Sequence, residues 1–200
     1  QDTLPWNRSC CARCGLPTPQ PVAACGRCLQ KPPPLERVHA AFRYGFPVDR
    51  LEQRFKFHHD LAAGRELSDA MRPMLVDALA KGERPQAIIA VPLHPKRLRR
   101  RGYNQSLELA RPLSKAFAIP LLHDILHRIR DIAPQSGLGA QARLRNPRGA
   151  FAVGGGALPP HIALVDDVMT TGATLYECAR TLKRAGVQRV DAWVAARVPR

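Results

Sequence analysis

The chain has 200 residues, 45% of them hydrophobic and 24% charged, a balance that supports a buried core and excludes both a disordered tail and a large multidomain enzyme. Lysine and arginine number 31 against 16 aspartates and glutamates, a net charge of +15, which favours polyanionic partners and points to phosphate in some form. No apolar run reaches the roughly 18 residues that a membrane span needs, and the opening QDTLPWNRSC lacks the basic, apolar, small-residue order of a secretory signal. A soluble, cytoplasmic chain without membrane insertion is expected, with further residues upstream because Gln1 stands where a Met would begin.

Cys10, Cys11, Cys14, Cys25 and Cys28 crowd into the first thirty positions, whereas Cys178 lies alone in an apolar helical pattern with Leu175, Ala179 and Leu182, as a small buried hydrophobe does. Cys11-x2-Cys14 and Cys25-x2-Cys28 form two knuckles whose thiolates can reach one tetrahedral ion, with Gly15 and Gly26 placed to tighten the turns. A disulfide pair is the other reading of this spacing, and a reducing cytosol disfavours it. A segment so poor in apolar residues would draw its folding free energy from zinc, roughly 10 to 16 kcal/mol in finger peptides at neutral pH. Four ligands leave no position for water, so the site reads as structural. Cys10 either replaces Cys11 as a ligand or is a free thiol. Lys31-Pro32-Pro33-Pro34 forms a stiff connector and divides a metal module, residues 1–34, from a larger domain, residues 35–200.

That domain alternates strands and helices. Residues 39–44 read as a strand closed by Gly45 and Pro47, and residues 48–57 as a helix carrying Val48, Leu51 and Phe55. Asp60 caps a longer helix that Pro73 bends and Gly82 stops. Residues 87–91, 121–126, 162–165 and 190–195 read as buried strands, with helices over 105–117 and 173–185, the latter closed by Gly186. Such alternation predicts an α/β fold, a mainly parallel twisted sheet flanked by helices, whose ligands bind at the carboxyl ends of the strands. Trp6 and Trp193 read as packing anchors, and His58-His59 as favouring a helix end.

Behind the strand ending at Val165 comes Asp166-Asp167-Val168-Met169-Thr170-Thr171-Gly172-Ala173-Thr174, leading into a helix. Backbone N–H groups from Met169 to Thr174, the hydroxyls of Thr170, Thr171 and Thr174 and the positive helix end would converge on one anion, with Gly172 letting the backbone close in. Two adjacent carboxylates beside that cradle suit neighbouring ribose hydroxyls. A plain helix cap needs one such residue, not five. The arrangement resembles the phosphoribosyl pyrophosphate signature of type I phosphoribosyltransferases.

After the strand over 87–91 come Pro92, Leu93 and His94, then Lys96, Arg97, Arg99, Arg100 and Arg101 ahead of Gly102. This basic loop reads as a pyrophosphate clamp in which arginines grip oxygens bidentately; a solvated charge run is the alternative, and for His94 a structural role stays open. Residues 134–151, carrying Arg143, Arg145 and Arg148, read as a mobile lid over the leaving pyrophosphate or as an ordinary insertion.

Taken in order, the cysteine knuckles, Val91-Pro92-Leu93-His94 with Arg101-Gly102-Tyr103-Asn104-Gln105, Gln135-Ser136-Gly137-Leu138 with Arg143-x-x-Asn146, and the acidic-threonine loop resemble the ComF family of competence-associated, phosphoribosyltransferase-like proteins along essentially the whole chain. The resemblance implies a type I phosphoribosyltransferase-like fold, Asp166 and Asp167 on the ribose hydroxyls, Thr170 to Thr174 on the 5′-phosphate, and Mg²⁺ held mainly by the ligand. It also implies DNA uptake or utilisation, with single-stranded or branched DNA and competence or DNA-processing proteins as partners. Two functions follow from these residues. In one, a binding protein anchors phosphoribosyl pyrophosphate while its basic surface grips DNA. In the other, a Mg²⁺-dependent transferase of nucleotide metabolism displaces pyrophosphate from the sugar, with Asp166 and Asp167 catalytic and the acceptor unidentified.

Overall fold

The structure, a computed structural model, describes residues 4–82, 84–131 and 148–199. Its elements run in the order α1 (Gly26–Gln30), β1 (Val38–Arg43), α2 (Val48–Phe57), α3 (Leu61–Ala80), β2 (Ala87–Ala90), α4 (Pro95–Arg101), α5 (Gln105–Phe117), β3 (Leu126–Arg128), β4 (Phe151–Val153), β5 (His161–Met169), α6 (Ala173–Arg184) and β6 (Arg189–Arg197). Four strands make a parallel sheet in the order β1-β6-β5-β2, and β3 and β4 form a separate antiparallel pair. No helix among the described residues is long and apolar enough to cross a membrane.

Alternation along each strand builds two cores. Ile162, Leu164, Val190, Ala192 and Val194 face Leu175, Cys178 and Leu182 of α6. Ala163, Val165, Trp193 and Ala195 face Leu67, Met71 and Leu75 of α3 and Leu109 and Leu113 of α5. Cys178 is buried in the first core, and Trp193 anchors the second with Phe117 edge-on at 6.2 Å. Helices α2 and α3 meet where a Cβ on Gly64 would lie 2.5 Å from the Phe55 ring, so only glycine lets them approach.

Several elements differ from the sequence reading. The strand expected over 121–126 does not form. Leu121 makes one parallel bridge to Ile88, the exposed His123 and Asp124 follow with Asp124 in the left-handed region at φ 55°, and Leu126 turns away to pair with Val153. Polar residues that tolerate this conformation end the run before it can join the sheet. The basic loop is also a helix, α4: Pro95 opens it, the His94 side chain accepts from the Lys96 N–H at 3.3 Å, and Gly102 closes it at φ 80°. Pro95 and the arginines suit helix, and three cations fall in its last turn. Pro73 lies on the exposed side of an α3 that runs through it unbroken, where water can take the carbonyl freed by the missing N–H.

The first thirty-odd residues lie against the sheet edge. Asn7 N–H donates to Ala41 O at 2.8 Å, Arg43 N–H to Pro5 O at 2.8 Å and Val38 N–H to Ala12 O at 2.9 Å. Trp6 packs on Phe42 with ring centroids 4.6 Å apart, and Leu35 joins the first core.

Candidate functional site

Two places concentrate chemistry. In the first, the sulfurs of Cys11, Cys14, Cys25 and Cys28 all lie within 4.8 Å of one another, whereas Cys10 falls outside the group. Cys11 Sγ is 4.0 Å from Cys28 Sγ and Cys14 Sγ 3.8 Å from Cys25 Sγ, close to the roughly 3.8 Å edge of a tetrahedron with metal–sulfur bonds of about 2.3 Å. The four could therefore hold a metal, and the two knuckles lie together as their spacing predicted. Burial raises the Cys14 thiol to about 11, and burial with the neighbouring Cys14 thiol pushes Cys28 upward. Cys25 drops to about 7 because hydrogen bonds from Cys28 and its fellow thiols outweigh burial. A cation seated among them would displace the thiol protons.

The second lies at the carboxyl end of the sheet. β5 runs four residues beyond the expected Val165, to Met169, so Asp166, Asp167 and Val168 belong to the strand rather than to the loop behind it. Consecutive strand residues face opposite ways, and the two acids meet different neighbours. Asp166 accepts the Ser106 hydroxyl at 2.8 Å and the Asp167 N–H at 3.0 Å, on the side where Arg128 and Cys178 feel its charge. Burial first, then the charge of Asp167, lift its carboxyl to about 8. Asp167 takes the Val168 N–H on Oδ1 at 2.6 Å, and its Oδ2 lies 2.9 Å from Lys56 Nζ. Lys56 also pairs with Glu52 at 2.8 Å. Burial, reinforced by Asp167, raises Glu52 to about 7; for Lys56 the two acids outweigh burial and hold the ammonium above its ordinary value.

Behind β5 the chain turns through Thr170 and Thr171 to Gly172, which caps α6 at φ 83°. A Cβ there would lie 2.6 Å from Met169 Cε and 2.7 Å from the Tyr176 ring, so both conformation and space require glycine. Thr171 Oγ1 accepts the Ala173 N–H at 3.3 Å, and Thr174 is half-buried in the first turn of α6, whose leading N–H groups have no carbonyl within the helix. Arg197, buried at the end of β6, ties this turn to the cysteine cluster. Its Nε donates to Cys14 O at 2.8 Å, and its guanidinium donates to Met169 O at 2.9 Å and to Thr170 O.

The parallel register Ala90↔Val165 brings the end of β2 to the same rim. Pro92, Leu93 and His94 leave it half-buried, and the Asn104 amide donates to Val91 O at 3.1 Å while its oxygen caps α5 through the Ser106 N–H. Arg101 reaches Gln105 Oε1 at 2.6 Å, lies over the Phe57 ring at 5.8 Å and is near enough to Glu52 to favour its charge. The other cations of α4 are mostly exposed. Of the expected lid, residues 134–147 lie outside the described residues, and its end forms β4.

Glu52, Lys56 and Ser106 were missed by sequence reasoning. Glu52 alone left a trace, an acid in step with Val48 and Phe55 on the buried face of α2. A cleft of about 520 Å³ separates the two places, lined by Cys14, Cys28, Thr171, Arg27, Lys31 and Arg180, among others. A larger cavity of about 1070 Å³, between α3, β1 and the N-terminal segment, holds none of the expected site residues.

No family model matches the chain. It is 36% identical over 195 residues to the DNA utilization protein YhgH of Salmonella typhimurium, covering 94% of this chain and 84% of that protein. Against Competence protein F of Haemophilus influenzae the identity is 37% over 192 residues, with 94% and 84% covered. Against Competence protein ComFC of Streptococcus pneumoniae it is 29% over 158 residues, 79% of this chain and 67% of that one. At this identity across nearly its whole length, the chain belongs to the ComF family.

Proposed function

We propose that this is a phosphoribosyltransferase-like protein that binds phosphoribosyl pyrophosphate at the β5 rim and serves DNA uptake or utilisation, in keeping with the DNA utilization and competence that its relatives are named for. The observation that carries the reading is the junction of an acid pair with a glycine-capped turn at one sheet end, where Asp166 and Asp167 precede Thr170, Thr171, Gly172 and the start of α6. Asp166 and Asp167 accept the ribose hydroxyls. The turn from Thr170 to Thr174 cradles the 5′-phosphate through amide N–H groups and hydroxyls. Pro92, Leu93, His94 and Arg101 lie on the pyrophosphate side. Asp167 is already engaged by Lys56, which suits Mg²⁺ carried by the ligand's own phosphates.

The cysteine cluster takes Zn²⁺ as a structural ion, and residues 1–34 form its module. The cations that line the cleft beside it, with those of α4, offer phosphate contacts to single-stranded or branched DNA. The test is calorimetric titration with phosphoribosyl pyrophosphate: the native protein binds, and the variant carrying Asp166→Asn and Asp167→Asn does not while its unfolding stays cooperative. Undiminished binding by a folded double variant overturns the reading.

A further inference from the structure

We propose that Lys56, clamped by Glu52, is a positioning residue for the acid pair: it holds the Asp167 carboxylate in place as the acceptor for one hydroxyl of a vicinal diol. The inference rests on the sugar-phosphate reading of the β5 rim. Its basis is the geometry of α2 against β5. Lys56 Nζ sits between Glu52 Oε2 at 2.8 Å and Asp167 Oδ2 at 2.9 Å, with 22% of the lysine side chain exposed against 1% for Glu52 and 6% for Asp167.

Stability does not explain this arrangement. Buried ion pairs rarely stabilise more than the apolar side chains that could replace them. Glu52 lies on the face of α2 that buries Val48 and Phe55, where an apolar residue would pack, and its Oε1 finds no hydrogen-bond partner among the described residues. Two carboxyls, those of Glu52 and Asp167, flank one ammonium; Asp166 on the other side of β5, with Arg128 and Cys178 near it, and Tyr44, Asp49, Arg101 and Tyr103 are among the titratable groups that feel the cluster. Such a surplus of acids disfavours folding and makes sense where one of them must carry charge toward a ligand. An opposite charge at hydrogen-bond distance holds one carboxylate of an adjacent pair in a fixed orientation.

The experiment titrates phosphoribosyl pyrophosphate by calorimetry into the native protein and its Asp167→Asn, Lys56→Met and Lys56→Arg variants, with the thermal midpoint of each measured beside it. Asp167→Asn abolishes binding. Lys56→Met weakens it by about tenfold or more, the factor that losing one hydrogen bond to a charged group carries. Lys56→Arg, which keeps a cation beside the Asp167 carboxylate, restores binding. A merely structural lysine would move the thermal midpoint and leave the affinity of the folded variant alone. Where Lys56→Met does not fold, the polar but uncharged Lys56→Gln takes its place and weakens binding in the same direction. Loss of binding in Asp167→Asn with native affinity in Lys56→Met overturns the inference and leaves the site intact; native binding by Asp167→Asn overturns the site itself.

Discussion

Asp166 and Asp167 are neighbours in sequence but meet different partners, because the pleat sends one toward Ser106 and the other toward Lys56. Asp166, lifted from 3.8 to about 8, binds its proton more tightly folded than unfolded. Its contribution to stability is therefore complete below about pH 4 and is lost as pH rises toward about 8. Glu52 acts in the same sense between 4.5 and about 7. Asp166→Asn should flatten the fall in thermal midpoint from mildly acidic to mildly basic pH; a fall as steep as the native protein's would refute this. Asp191 shows the opposite sign. Burial resists its charge, but hydrogen bonds from His161 and Arg189 hold its carboxyl below the ordinary value. Its stabilisation is present above about pH 4 and disappears as acid protonates it. Asp191→Ala, which strands the partners of a buried carboxylate, should cost about 3 kcal/mol in denaturant unfolding. The acid pair was legible in the sequence because its members are contiguous with the threonine turn. Lys56 and Ser106 were not, since nothing local announces a partner that only the packing of α2 and α5 against β5 supplies.

Among the elements, the turn between β5 and α6 carries the most constraint. Gly172→Ala places a Cβ where Met169 and Tyr176 already lie and forces a positive φ on alanine. A loss of at least about 2 kcal/mol in unfolding free energy is expected, together with weakened sugar-phosphate binding. Arg197 links that turn to Cys14. Removing metal with a chelator should thus raise amide exchange first in the knuckles and α1, then in the turn behind β5; protection there unchanged by chelation would show the two places to be independent. The periodicities of α2, α3, α5 and α6 announced these helices, each with an apolar stripe. The failures at 121–126 and at α4 share a cause. Apolar content suggested a strand where His123 and Asp124 break the run, and dense charge suggested a loop where proline, arginine and a glycine cap favour a helix.

At the scale of the whole molecule, alternating apolar runs and helices predicted a parallel sheet, and the order β1-β6-β5-β2 places the ends of β2 and β5 side by side. Sequence could not supply that order, which depends on which strands the two helical layers cover. The net charge of +15 exceeds what one sugar phosphate requires, and backbone phosphates of DNA are its proposed counterpart. Affinity for single-stranded DNA should then fall by about 300-fold between roughly 50 and 200 mM salt if some six phosphates are engaged; salt-independent binding would contradict a contact made through the backbone. The most direct test of the account is a crystal structure of the protein grown with phosphoribosyl pyrophosphate and magnesium. The account expects the 5′-phosphate against the amides from Thr171 to Thr174, with the ribose hydroxyls within hydrogen-bond reach of Asp166 and Asp167. A ligand bound elsewhere, or a rim left empty at saturating concentration, would contradict it.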